Sequence, residues 1–136
     1  MLLTRECDYG VRILRALRSG ELVNVAQIAD REDISTQITY KLTRKLEKSG
    51  ILESQRGVNG GYRLKVSLEQ ITLLDVFKAV DQNMMICDCS GGGESNCSRN
   101  TKDNPCMVHL EFCRLQQMMQ KELNSKSVLN VMDGKL

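Results

Sequence analysis

Five of the six cysteines in this chain fall between Cys87 and Cys113. Cys89, Cys97 and Cys106 are separated by seven and eight residues, and the single histidine, His109, stands three residues after the last of them. Thiolates spaced widely on a glycine-containing loop can wrap a rigid inorganic core from several sides, as an iron–sulfur cluster requires. The tight Cys-x-x-Cys pairs of a zinc ribbon do not occur, so zinc is the weaker reading. His109 is a candidate fourth ligand, weighed against an ordinary structural histidine. Nucleophilic catalysis would need a thiol activated by an oriented base. No Asp or Asn partner for His109 and no oxyanion element is evident, so an enzyme is not expected. Cys87 and Cys113 read as spare thiols, the first near the site and the second packed in a helix. Cys7 reads as core or near-interface. The plain alternative is a loop of inert cysteines.

The elements that must position these groups occupy 136 residues, enough for about one domain or two small modules sharing a core. With 41% hydrophobic and 26% charged residues the chain is an ordinary globular one, and disorder throughout is excluded. No largely apolar stretch approaches the roughly 18 residues of a membrane span, so no membrane partner is expected. The opening MLLTRECDYG carries an acidic residue where an export signal would continue its apolar run, which predicts a cytoplasmic protein with reduced thiols. Charge is distributed unevenly. Residues 1–66 hold 12 basic against 8 acidic residues, whereas 67–136 hold 7 against 9. Within 34–65 the ratio is 7 to 2, which points to an anionic partner for the first half.

Helical spacing of Tyr9, Ile13, Ala16 and Leu17 predicts a first helix from about Arg5 to Leu17. Asn24 can cap a second that turns Val25, Ile28 and Ala29 inward. Ser35 can cap a third, in which Ile34, Ile38, Leu42 and Leu46 recur every four residues and Ser49-Gly50 closes the end. The runs 51–55 and 62–66 read as strands, and Asn59-Gly60-Gly61 between them is expected to supply the positive φ values of a hairpin. Two helices joined by a tight turn and followed by a glycine-tipped hairpin make a winged helix-turn-helix. Thr72 and Asp75 form a capping box that opens a helix running to about Val80. Periodicity then stops until Asn104-Pro105, which is expected to start a long helix. Its Val108, Phe112, Leu115 and Met119 are spaced four, three and four apart, a seam suited to pairing two copies, or else to packing within one. A short helix over 127–132 ends the chain. The expected fold is mainly α with a small β-hairpin wing. Its parts are a winged helix-turn-helix DNA-binding domain (1–66), a connecting helix (67–81), a cysteine-rich loop (82–104), and a dimerisation helix with a tail (105–136).

A helix in the major groove needs an apolar back and a front of side chains that reach base edges and phosphates. The third helix offers both. Ser35, Thr36 and Gln37 sit at its start, and Tyr40, Lys41, Arg44 and Lys45 continue along it. Arg56 and Asn59 near the wing tip suit a flanking minor groove. The expected partner is a double-stranded DNA operator, met by a homodimer whose half-sites lie about 34 Å apart.

These residues together resemble the bacterial winged-helix iron–sulfur regulators that include the IscR and NsrR types. The likeness runs through LTRECDYGVRIL, ISTQITYKLTRKLEKSGIL, RGVNGGYRL, ITLLDVFKAVD, the cysteine loop and SVLNVM. It implies a repressor-type transcriptional regulator in which Cys89, Cys97 and Cys106 hold an iron–sulfur cluster sensing iron, redox state or nitric oxide. The fourth ligand divides the family. His109 matches the histidine of members with a two-iron cluster, the reading favoured here. Asp8 matches the aspartate that other members supply from the partner subunit's first helix to a four-iron cluster. Glu6 is a more remote third candidate. The loop is longer than is usual in the family, Cys87 is an additional thiol, and Tyr40 replaces an acidic residue involved in operator choice. Rival readings are a cluster-free regulator whose thiols sense oxidants and, further off, an iron–sulfur carrier.

Overall fold

The computed structural model describes residues 3–82, 84–90 and 97–135. The helices are α1 (Arg5–Ala16), α2 (Val25–Glu32), α3 (Thr36–Lys48), α4 (Leu73–Val80), α5 (Met107–Leu123) and α6 (Val128–Met132). Strands β1 (Leu52–Gln55) and β2 (Gly61–Leu64) follow α3, and a single 3₁₀ turn, Asp88–Ser90, precedes α5. The chain is mainly helical with a two-stranded antiparallel wing, as its residues predicted.

Caps set the helix boundaries. Asn24 and Gln27 form a reciprocal capping box at α2, and the Ser35 hydroxyl accepts the Ile38 N–H at 3.3 Å to open α3. Between them Asp33 takes the left-handed conformation (φ 52°), which makes the turn tight enough to set α2 and α3 against each other. Thr72 and Asp75 form the expected box at α4. Ile13, Leu14, Leu17, Ile28, Leu42, Leu46, Leu52, Val76 and Val80 are buried in one core shared by the wing and the four helices α1 to α4. Each such side chain contributes about 1.5–3 kcal/mol of burial. Val128 of α6 joins the same core, where its N–H donates to the Ile71 carbonyl at 2.7 Å.

The structure departs from the sequence expectations in α3, in the wing and in α5, where Met119 of the expected seam also packs against the monomer core. Ile38 does not face the core: it is 36% exposed, while Thr39 and Thr43 are buried beside Leu42 and Leu46. A strict four-residue repeat drifts around a 3.6-residue helix, so the inward stripe steps from Leu42 to Thr39, not to Ile38. Both threonines are tolerated there because their hydroxyls donate to helix carbonyls, Thr39 to Ser35 and Thr43 to Tyr40, each at 3.0 Å. In the wing, positive φ falls on Gly57 (φ 120°) rather than on Asn59-Gly60-Gly61. Gly60 and Gly61 are needed for space, since a Cβ would lie 2.3 Å from the Gln55 carbonyl oxygen and 2.4 Å from that of Val23, respectively. Finally, α5 begins at Met107 with Cys106 as its extended cap, not at Pro105. The Cys106 N–H is taken by Asn100 Oδ1 at 3.0 Å, which holds this residue in the loop's conformation.

Candidate nucleic-acid interface and thiol cluster

The third helix turns Ser35, Thr36, Gln37, Tyr40, Lys41 and Arg44 outward, all exposed. They are brought together on one face because Leu42 and Leu46 anchor the opposite one. The Arg44 guanidinium lies over the Tyr40 ring, 5.8 Å from its centroid, a cation–π contact between two exposed side chains one turn apart. Arg56 and Asn59 are exposed in the wing loop, with Val58 projecting between them. The wing is held by a two-way backbone bridge in which Val23 and Tyr62 exchange N–H···O bonds of 2.9 and 2.8 Å. Glu53 and Arg63, opposite each other in the ladder, pair at 2.5 Å.

Two features here are not visible in helical periodicity. Glu6 of α1 reaches α3, where its carboxylate accepts from Lys41 Nζ at 2.5 Å and Lys45 Nζ at 2.8 Å. Hydrogen bonds from Lys41 first, and then from Lys45, hold the Glu6 carboxyl below its ordinary pKa. Lys45 also donates to the Val80 carbonyl at 2.5 Å, so one ammonium joins α1, α3 and α4. Beside it, Arg5, Lys48 and Lys78 line an open groove with Glu6 and Asp81. The second is Glu32, buried at the end of α2, whose carboxylate meets Arg15 at 2.5 Å and Arg12 at 3.7 Å from α1. Both depend on juxtapositions that only the fold creates.

Cys106, His109 and Cys113 lie along the first turns of α5, and Cys87 and Cys89 lie in the segment that packs against it. The 3₁₀ turn carrying Cys89 packs against α5. Cys89 Sγ lies 3.3 Å from Cys87 Sγ, and this neighbouring thiol, followed by desolvation, pushes the Cys89 pKa up. Cys106 caps the helix, and His109 Nε2 lies 3.5 Å from Cys113 Sγ one turn on. Cys97 is exposed and Cys7 is buried, its thiol pushed up in pKa by burial. Gln116 fastens the segment before the turn to α5, accepting from the Ile86 N–H at 2.8 Å and donating to the Met84 carbonyl at 3.0 Å. Asp8 stands apart on α1, its side chain 63% exposed and paired with Arg12 at 3.5 Å. The donor set is soft and thiol-rich, which fits an iron–sulfur cluster. Among the described residues no three of His, Cys, Asp and Glu are grouped to hold a metal ion.

A family model described as Rrf2, iron-dependent transcriptional regulator, matches residues 3–134. The chain belongs to the Rrf2 family. The regulator NsrR of Bacillus licheniformis is 32% identical over 136 residues, covering 98% of this chain and 87% of that protein. The regulator IscR of Vibrio campbellii is 33% identical over 128 residues, covering 92% and 73%. Among solved structures, IscR of T. potens superposes with a TM-score of 0.73 at 18% identity, covering 98% of this chain and 88% of that one. Oxidised CymR of Staphylococcus aureus gives 0.69 at 19%, covering 94% and 93%. These structures share the Rrf2 winged-helix fold. The named relatives are transcriptional regulators and not enzymes, and this Rrf2 chain is a transcriptional regulator. Among its described residues no helix is long and apolar enough to cross a membrane.

Proposed function

We propose that this Rrf2 protein is a cytoplasmic, homodimeric repressor that binds double-stranded operator DNA, with an affinity set by an iron–sulfur cluster responsive to iron, redox state or nitric oxide. The observation that carries the reading is that one helix, α5, bears both the thiol site and an uncovered apolar face. Met107 is 72% exposed and Val108 60%, with Leu110, Leu115 and Met118 also exposed, while Gln116 is the helix's buried residue. A helix that turns this much apolar surface outward is suited to a second copy of itself. The family's description as iron-dependent supports the metal half of the reading.

Ser35, Thr36, Gln37, Tyr40, Lys41 and Arg44 would meet base edges and phosphates in the major groove, with Arg56 and Asn59 in the flanking minor groove. Cys89, Cys97 and Cys106 would hold the cluster, with His109 as fourth ligand to a two-iron form or Asp8 of the partner subunit to a four-iron form. When bound, the cluster supplies an iron–sulfide centre that nitric oxide, oxygen or iron shortage alters. The chain's own part is positional. Cys89 and Cys106, drawn together, tie the 3₁₀ turn to the head of α5, and α5 sets the spacing of two third helices. A coupling of about 1–3 kcal/mol, roughly 5–150-fold in affinity, is enough for regulation. In the same reading, 1–66 binds DNA, 67–81 connects, 82–104 holds the cluster and 105–136 dimerises.

Anaerobic purification with iron and sulfide quantitation tests this. The expected outcome is two irons per chain in register with the His109 assignment, lost in H109A and retained in D8A. Operator affinity, measured on duplexes selected from a random pool, should differ between loaded and iron-stripped protein. Unchanged affinity in the C97A variant, compared with loaded and stripped wild type, would overturn the coupling.

A further inference from the structure

Cys87 has no place in the proposed ligand set, yet its thiol lies directly against that of one member, Cys89. Its Sγ is 3.3 Å from Cys89 Sγ, a direct thiol–thiol contact with no group between them. Both residues are half-buried, so a small oxidant can reach them without unfolding the core. Asp88 alone separates them; Cys89 sits in the 3₁₀ turn that begins at Asp88, Cys87 immediately precedes it, and the two sulfurs are in contact.

We propose that Cys87 and Cys89 form a dithiol–disulfide couple, a redox site of its own in the segment packed against α5. With hydrogen peroxide as the oxidant, one thiolate attacks a peroxide oxygen and the O–O bond breaks, giving a sulfenic acid and hydroxide. The second sulfur then attacks the sulfenic sulfur, the S–O bond breaks, and the S–S bond forms. The two thiols lose two electrons, the peroxide gains them, and the thiol protons leave in two waters. A ring closed over one intervening residue is strained, and strained disulfides are the readily reduced, regulatory ones. Oxidation therefore removes Cys89 from the metal-ligating set reversibly, and this consequence rests on the cluster reading above; the couple itself does not.

The test uses the full chain, stripped of metal, reduced, and then treated anaerobically with hydrogen peroxide. Free thiols are capped with N-ethylmaleimide, and cleavage after Lys78 and Glu94 isolates residues 79–94, which contain Cys87 and Cys89 and no other cysteine. The expected product is uncapped, lighter than the dithiol by two hydrogens, and becomes doubly capped after dithiothreitol. Full capping after peroxide, a sulfinic acid, or a bond to Cys97, Cys106 or Cys113 would overturn the couple. Iron and sulfide reconstitution separates the two layers. Oxidised wild type should fail to take up iron and recover on reduction, and reduced C87S should load as well as reduced wild type. Equal loading of oxidised and reduced wild type, or loss of loading in C87S, overturns the proposed gating. If even reduced wild type takes up no iron, the cluster reading fails while the mass result still decides the couple.

Discussion

Glu6 and Lys45 stand 39 positions apart, yet the Glu6 Oε2 lies 2.8 Å from the Lys45 Nζ, and the other carboxylate oxygen holds Lys41. The start of the first helix is thereby pinned to the basic face of the third by two charge-assisted hydrogen bonds. The same carboxylate neutralises two cations of the proposed DNA-binding helix. In the proposed complex, phosphates would have to compete with Glu6 for Lys41 and Lys45.

Replacing Glu6 with Gln should therefore tighten DNA binding. Partly exposed ion pairs of this kind are worth about 0.2–1 kcal/mol, which corresponds to a gain of up to about fivefold. The slope of log affinity against log salt should steepen as the freed lysines displace counterions. Fluorescence anisotropy titrations over a range of salt check both, and an unchanged slope would show that neither lysine meets phosphate.

The wing depends on Gly61. An alanine Cβ would sit 2.4 Å from the Val23 carbonyl oxygen, so Gly61→Ala should break the Val23–Tyr62 bridge. A loss of about 1–3 kcal/mol follows from the two backbone bonds given up. Denaturant midpoints measure it, and DNA affinity should fall with the wing displaced while the helical circular dichroism is retained.

Val108 is exposed in the single chain, so changing it to Glu costs the monomer fold little. Placed in the proposed α5 pairing face, the same charge would be buried without a partner. V108E should sediment as a folded monomer and lose the half-site spacing needed for tight operator binding. A dimer of unaltered affinity would remove α5 from the interface.

Glu32 is buried between α1 and α2 with Arg15 and Arg12 on its carboxylate and the Arg12 guanidinium also donating to its backbone carbonyl. Glu32→Ala should destabilise the domain by about 1–3 kcal/mol. The arginines lie at the rim, where water can replace the carboxylate, which keeps the loss below that of a fully buried pair. Thermal or urea unfolding checks it. E32Q, which keeps the shape and one acceptor, should recover part of the loss.

Local chemistry determined most of the elements of this protein. The caps at Asn24, Ser35 and Thr72 and the alternation in the second wing strand act within a few residues, so helices α2 to α4 and the wing were legible in order. The outward row from Ser35 to Arg44 was legible too, because apolar residues on one side of a helix dictate the other. The tertiary structure decided what those rows meet. Ile38 was left outside because the packing stripe follows 3.6 residues per turn and two hydrogen-bonded threonines fill it. Gly60 and Gly61 were required by neighbouring carbonyls brought up from Gln55 and Val23. Glu6 found its lysines, and Glu32 its arginines, only when α1 was laid across α2 and α3. A burial pattern repeats along the chain and can be read from it; a contact between helices depends on their relative placement, which is set by the whole core at once.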